Sequence, residues 1–324
     1  MNNPIVGVNT DSMQQSKPDK RLHRANILQG QGDLENRLGN IDGAQQHYDE
    51  ALSLYKAAQD RLGIANTLKS LGDLESRLGN LDAARQRYDE ALPLYEATKD
   101  RLGVANTFRS MGDLESRLGN LDATRKHYNT ALPLYEAEQD RLGTANTLNS
   151  LGDLERRLGN LDAARKHYNA ALPLYEAERD RLGTANTLNS LGDLEHRLGN
   201  VDTARQYYDT ALPLYEAEQD RLGTANTLKS LGDLESRLGN IETARRYYDA
   251  ALPLYEAEQV RLGTANVLKS LGDLENRLGN IEAARRYLEA TLPLYEAEQA
   301  RLGTANSLKS LGDLENRLGN IEAA

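Results

Sequence analysis

The sequence predicts an all-α array of stacked helix pairs, and three observations carry that expectation. A 40-residue period runs from Arg21 to the last residue, so that Arg61-Leu62-Gly63 returns as Arg101-Leu102-Gly103 and finally as Arg301-Leu302-Gly303. Within each copy the apolar residues recur at three- and four-residue spacing, the pattern of an amphipathic helix. Each copy also carries one internal stop, Gly79-Asn80 in the second. A fixed period of this length marks an array in which every unit buries its apolar face against its neighbours. The expected organisation is a polar tail over 1–20, then repeats at 21–60, 61–100, 101–140, 141–180, 181–220, 221–260 and 261–300, and a partial copy at 301–324.

Residues 61–100 serve as the unit. In the first helix Ala65, Leu68, Leu71, Leu74 and Leu78 fall on one face. Gly79 suits the left-handed position just past a helix end, and Asn80, present in every copy, is the expected N-cap of the second helix. The acidic residue two places on, Asp82 or Glu242, suits the positive end of a helix dipole. The second helix aligns Ala84, Tyr88, Ala91, Leu92 and Tyr95. Pro93 lies about 180° from Ala84 at ~100° per residue, which predicts an outer position, a carbonyl of Asp89 left to water, and a kink repeated on one face. Gly72 stands in mid-helix, where glycine costs about 0.5–1 kcal/mol against alanine; close approach of the paired helices is the expected offset. Gly63 reads differently, because the first copy has His23 there and so tolerates a side chain.

Composition narrows the class. The absence of cysteine excludes disulfides and thiolate metal sites. A formal charge of −10 argues against a general affinity for nucleic-acid phosphates. No apolar run approaches the ~20 residues that span a bilayer, so no membrane partner is expected. Polar residues including Asn2, Asn9, Asp11 and Gln14 interrupt the first 20 residues and exclude a signal peptide there. The expected location is cytoplasmic.

The order Leu68…Leu71-Gly72…Gly79-Asn80…Ala84…Tyr88…Ala91 resembles the tetratricopeptide repeat signature. The 40-residue length and the Asp60-Arg61-Leu62-Gly63 linker are similar to the long-helix subclass of Pins-like adaptors and Rapsyn, and to arrays attached to bacterial and fungal signalling proteins. The resemblance implies a right-handed α-α superhelix, a solenoid whose first helices line a concave groove for a protein or peptide. It also implies an adaptor, or the sensor arm of a larger signalling protein. Two positions depart from the family pattern: Glu75 and Leu68 stand where aromatic residues are usual.

The polar stripe of the second repeat's first helix is Asn66, Lys69, Ser70, Asp73, Ser76 and Arg77. The resemblance makes the corresponding stripes the candidate groove wall. Its residues are Asn66, Lys69, Asp73 and Arg77, then Asn106, Arg109, Asp113 and Arg117, then Asn146, Asn149, Asp153 and Arg157. The array continues with Asn186, Asn189, Asp193 and Arg197, then Asn226, Lys229, Asp233 and Arg237, then Asn266, Lys269, Asp273 and Arg277. Stacked amides, carboxylates and guanidinium groups suit the backbone and acidic side chains of an extended peptide. The same rows also suit a structural role, through Asp73–Arg77 pairs worth about 0.2–0.5 kcal/mol or through bonds between neighbouring repeats. Two positions vary inside the uniform background: the Lys69 site, which is asparagine at 149 and 189, and the Ser76 site, which is Arg156 and His196 in mid-array. Ligand selection and an unconstrained solvent face both produce such variation. Lys229 and Lys269 are expected to be exposed.

Nothing else reads as chemistry. His47, His127 and His167 share one second-helix position a whole repeat or more apart, so surface positions are expected rather than a metal site. The Tyr88 and Tyr95 stripes share their face with alanine and belong to the core. No serine has a base at recognisable spacing and no phosphate loop is present, so neither an enzyme nor a cofactor is expected. The first repeat is more polar, with Gln31, Gly43, Gln45 and Ser53, as a terminal cap requires. Ile321-Glu322-Ala323-Ala324 reads as the first turn of a helix whose remainder is missing. Either a longer protein continues it, which is the favoured expectation, or the open end meets another chain. The runner-up function is therefore head-to-tail self-association through that end, which can propagate into filaments.

Overall fold

The computed structural model describes residues 20–322, with side chains through Gly319; the expected tail lies outside these residues except for Lys20. The chain forms seven helix pairs and one further helix among the described residues. The first three pairs are α1 (Lys20–Leu38) with α2 (Ile41–Ala58), α3 (Arg61–Leu78) with α4 (Leu81–Thr98), and α5 (Arg101–Leu118) with α6 (Leu121–Ala137). Next come α7 (Arg141–Leu158) with α8 (Leu161–Glu178), α9 (Arg181–Leu198) with α10 (Val201–Ala217), and α11 (Arg221–Leu238) with α12 (Ile241–Ala257). The pair α13 (Arg261–Leu278) and α14 (Ile281–Ala297) precedes α15 (Arg301–Glu322). The chain divides into two compact units, 1–140 and 141–324. Within each unit a helix packs on its pair partner and on the next helix, and first helices also touch first helices. No helix among the described residues is long and apolar enough to cross a membrane.

Two tyrosine–glycine contacts set the spacing of the helices. The ring of Tyr88 lies over Gly72 in the paired helix, where a Cβ would come within 2.6 Å of the ring. The close approach expected at Gly72 is therefore made by a named side chain, repeated as Tyr168 over Gly152 and Tyr208 over Gly192. A second contact joins successive repeats: Tyr95 lies over Gly103, Tyr175 over Gly183 and Tyr215 over Gly223, each leaving only 2.2 Å for a Cβ. This overturns the reading of Gly63 as a position that tolerates a side chain. Gly63 lies against Tyr55 in the same way, and His23 is accommodated because it is exposed, with no described helix before it.

The core contains Ala65, Leu68, Leu71 and Leu74 of the first helices and Ala84, Tyr88, Ala91 and Tyr95 of the second. Leu78, expected on the same face, is 48 % exposed, because it lies in the last turn beyond the partner helix's reach. Gly79 sits at φ +84°, as its role past a helix end requires. Asn80 occupies the N-cap position, but its side chain makes no capping bond; its Nδ2 donates to Glu75 Oε2 at 2.7 Å. Among the described residues only Asn40 caps as expected, accepting from the Gly43 N–H. The asparagine of the turn is thus mostly a tether to the preceding helix. Pro93 is exposed inside an uninterrupted α4, on the outer side as expected. At Gly319-Asn320 the stop fails: α15 runs on to Glu322, so Ile321 and Glu322 do not begin a second helix.

Several of the interfaces between a second helix and the next first helix contain a buried carboxylate that the sequence reading left unexplained. Glu115, Glu195, Glu235 and Glu275 are buried. Arg85 pairs with Glu115, Arg165 with Glu195 at 2.6 Å, and Arg205 and Arg245 with Glu235 and Glu275. Burial raises the Glu115 pKa, but bonds from Asn120 and Arg85 outweigh it and hold the group below its ordinary value. The glutamates of these pairs hold the Glu75 position, where the family pattern usually has an aromatic residue.

Candidate interaction face of the first helices

The face is built by tyrosine hydroxyls that reach through from the second helices. Tyr95, Tyr135 and Tyr175 donate to the Oδ1 of Asn66, Asn106 and Asn146 at 2.8, 2.7 and 2.7 Å. Tyr215, Tyr255 and Tyr295 do the same to Asn186, Asn226 and Asn266 at 2.6, 2.6 and 2.8 Å. The carbonyl end of each amide is thereby fixed inward, and its two N–H donors are presented outward. Burial, then Asp220 and Asp193, hold the Tyr215 hydroxyl well above its ordinary pKa, so it remains a donor across the accessible pH range.

The aspartates are held by the other tyrosine of each pair. Tyr88, Tyr128, Tyr168, Tyr208 and Tyr248 donate to Asp73, Asp113, Asp153, Asp193 and Asp233 over 2.6–2.9 Å. Asp273 lacks this bond because Leu288 replaces the tyrosine; Ser310 donates to it at 3.3 Å. The expected Asp73–Arg77 pair is not formed. Asp73 instead pairs with Lys69 at 2.6 Å, Asp113 with Arg109 at 3.6 Å, and Asp233 and Asp273 with Lys229 and Lys269 at 2.6 Å. Lys229 and Lys269, expected to be exposed, are half-buried by these pairs. Asn149 and Asn189 accept instead from Thr187 and Thr227 at 3.2 and 3.1 Å.

The arginine row is a staple between repeats. Arg77 donates to the Asn36 carbonyl at 2.9 Å, Arg117 to that of Ser76 at 2.7 Å, Arg237 to that of His196 at 3.2 Å and Arg277 to that of Ser236 at 2.8 Å. These residues, with Arg157 and Arg197, stand at the exposed ends of their helices. Carbonyls of a last helical turn lack intrahelical donors, so a cation there is favourable. The candidate residues thus divide: arginines and most aspartates serve the scaffold, while the asparagine amides keep outward donors.

In the second unit these amides gather around two recesses. The first, of ≈ 400 Å³, is walled by Asn149 and Asp153 of α7, Asn186 and Asn189 of α9, and Asp220, Leu222 and Asn226 of α11. The second, of ≈ 420 Å³, is walled by Asn189 and Asp193 of α9, Asn226 and Lys229 of α11, and Val260, Leu262 and Asn266 around the start of α13. Asp220 was missed as a site residue. Its carboxylate caps α11, accepting from the Gly223 N–H at 2.9 Å, and aspartate before Arg-Leu-Gly in most copies was the legible signal. Histidine is less exposed than expected: His127 stacks on Phe108 at 5.9 Å, and burial lowers the pKa of His127, His167 and His196. Among the described residues no group of three or more histidine, aspartate or glutamate side chains is placed to hold a metal ion.

The tetratricopeptide repeat profile matches residues 23–97, 103–177, 183–257 and 262–324, and the chain belongs to that family. Its fold class is the all-α helix-turn-helix repeat. No curated protein matches the sequence. Among solved structures, a signal transduction ATPase with a tetratricopeptide repeat sensor from Pyrococcus horikoshii is similar at TM-score 0.72 and 15% identity, over 94% of this chain and 47% of that one. The apo form of RapI is similar at 0.67 and 13%, over 85% of this chain and 99% of that one. A Rap protein complexed with Competence and Sporulation Factor is similar at 0.61 and 14%, over 95% and 90%.

Proposed function

We propose that this chain is a protein-interaction scaffold whose first-helix face binds an extended polypeptide segment, as an adaptor or as the sensor arm of a larger signalling protein. One observation carries the reading: seven successive repeats each hold an asparagine amide whose carbonyl end accepts from a buried tyrosine, which leaves its N–H donors for a ligand. An extended backbone offers carbonyl acceptors at a regular rise of about 3.3 Å per residue, so donors on helices about 8–10 Å apart meet roughly every third residue. Pre-fixed side chains lose little rotamer freedom on binding. Membership of a family that supplies interaction scaffolds supports the same reading. The test uses a random library of acetylated, amidated dodecapeptides selected on the immobilised full chain. Asn186→Ala and Asn226→Ala should weaken the selected peptides about tenfold together, whereas Lys166→Ala and Arg246→Ala on the second helices should leave them unchanged. Binding indifferent to both asparagines would remove the reading.

A second reading, self-association through α15, rests on Leu302 and Leu308, which are 74 % and 53 % exposed, the latter lining a recess of ≈ 540 Å³. It requires a mass in light scattering that grows with concentration and falls when both leucines are made serine.

A further inference from the structure

The two recesses of the second unit are one structure displaced by a repeat. Every lining position of the first, advanced by 40, is a lining position of the second. They differ in only two residues: Asn189 becomes Lys229, and Asp220 becomes Val260. Both changes act in the same direction. The first recess holds two carboxylates, Asp153 and Asp220, and no cation; the second holds one carboxylate and one ammonium, with an aliphatic side chain at the rim.

The carboxylates of the first recess are open to a partner. Asp153 uses Oδ1 for Tyr168 and for Arg156 at 3.4 Å, and Asp220 uses Oδ1 for its cap. Neither Oδ2 accepts a hydrogen bond among the described residues. Elsewhere on the face the chain supplies its own cation four residues before the aspartate, as Lys69, Arg109, Lys229 and Lys269 do. At 149 and 189 that cation is replaced by asparagine, and among the described residues Asp153 has only the longer pair with Arg156 on its Oδ1 at 3.4 Å.

Resting on the reading of this face as a peptide site, we infer that the first recess selects a lysine or arginine side chain of the bound segment and the second an uncharged aliphatic one. An ammonium or guanidinium group in the first recess meets the Oδ2 atoms of Asp153 and Asp220, and no cationic side chain lines that recess. A charge-assisted bond to a half-buried carboxylate is about twice as strong as a neutral one, and Lys229 repels a second cation from the neighbouring recess. Packed helices lie 8–10 Å apart, and an extended chain rises about 3.3 Å per residue. The cationic and aliphatic residues of the ligand are therefore about three positions apart.

The dodecapeptide library tests this. Peptides selected on the full chain should be enriched in lysine or arginine with an aliphatic residue about three positions away. Asn189→Lys with Asp220→Val converts the first recess into the second, using residues the same scaffold already accepts at 229 and 260. It should weaken the selected peptides about tenfold or more, and weaken their lysine-to-norleucine analogues far less. The converse pair, Lys229→Asn with Val260→Asp, should favour peptides with two cations. Asp209→Asn with Asp249→Asn changes the net charge equally on the second helices and should have no effect, separating the recess from the general attraction of an acidic chain. Selected peptides without a cation, or full affinity for the Asn189→Lys/Asp220→Val variant, would overturn the inference. If Asn186→Ala and Asn226→Ala still weaken binding in that case, only the selectivity fails; if they do not, the interaction face itself fails.

Discussion

At the residue scale, one side chain performs two jobs that usually fall to different residues. The second-helix tyrosines at the Tyr208 and Tyr215 positions fill the space left by a glycine with the ring and fix a polar group of the candidate face with the hydroxyl. Gly192→Ala would put a Cβ 2.5 Å from the Tyr208 ring. It should cost about 1–3 kcal/mol by overpacking, despite the roughly 1 kcal/mol that alanine gains in an open helix. Gly272→Ala, facing the flexible Leu288 at 2.9 Å, should cost less. Urea midpoints of the two variants check this; a more stable Gly192→Ala would contradict the contact. The histidines give a pH dependence. Burial depresses the pKa of His127, His167 and His196 below 6.5, so the folded chain binds fewer protons than the unfolded one near that value. Stability is therefore expected to fall as pH drops from 7.5 towards 5.5, and a triple change to glutamine should flatten the decline in a urea series. The glycine at 72 was legible as a site of close approach from its cost alone. That the partner is Tyr88 was not, because helical periodicity fixes a face but not which ring meets which gap.

At the scale of the element, the period and the three-to-four spacing located both helices of every pair. The last turns were misread. Leu78 continues the apolar pattern, but the pattern outruns the partner helix that would cover it. Leu151→Ala in the core of α7 should thus cost about 2–5 kcal/mol, whereas Leu198→Ala, at the exposed end of α9, should cost under ~0.5 kcal/mol. Equal midpoints would refute the assignment of the core face. The buried arginine–glutamate pairs were illegible for a related reason: a charged residue on a helix surface reads as solvated until the neighbouring helix is in place. Arg165→Ala leaves Glu195 buried without its cation, a loss of about 3–5 kcal/mol for such pairs, of which the half-exposed arginine should retain only part. α15, which packs on one side only, should exchange its amides well before α9 and α11; equal protection in dilute solution would contradict a stability that is the sum of neighbour contacts.

At the scale of the whole molecule, uniform repetition makes departures informative. Near-identity of the copies hides function, because a structural and a binding residue repeat alike. In the structure their hydrogen bonds differ: arginines staple one repeat to the next, lysines pair with aspartates, and asparagine carbonyls accept from tyrosines. The sequence had assembled the stripe as a candidate and left its roles open. What it lacked was Asp220, Tyr215 and Leu222, which come to the face from a turn, a second helix and a first turn outside the stripe.

The central claim is that a polypeptide lies along the first helices. Library-selected dodecapeptides carrying a benzoylphenylalanine, photo-crosslinked to the intact chain and mapped by mass spectrometry, test it most directly. Adducts are expected on α7, α9, α11 and α13 around Asn186 and Asn226. Adducts confined to the second helices around Lys166 and Pro213, or to α15, would contradict it.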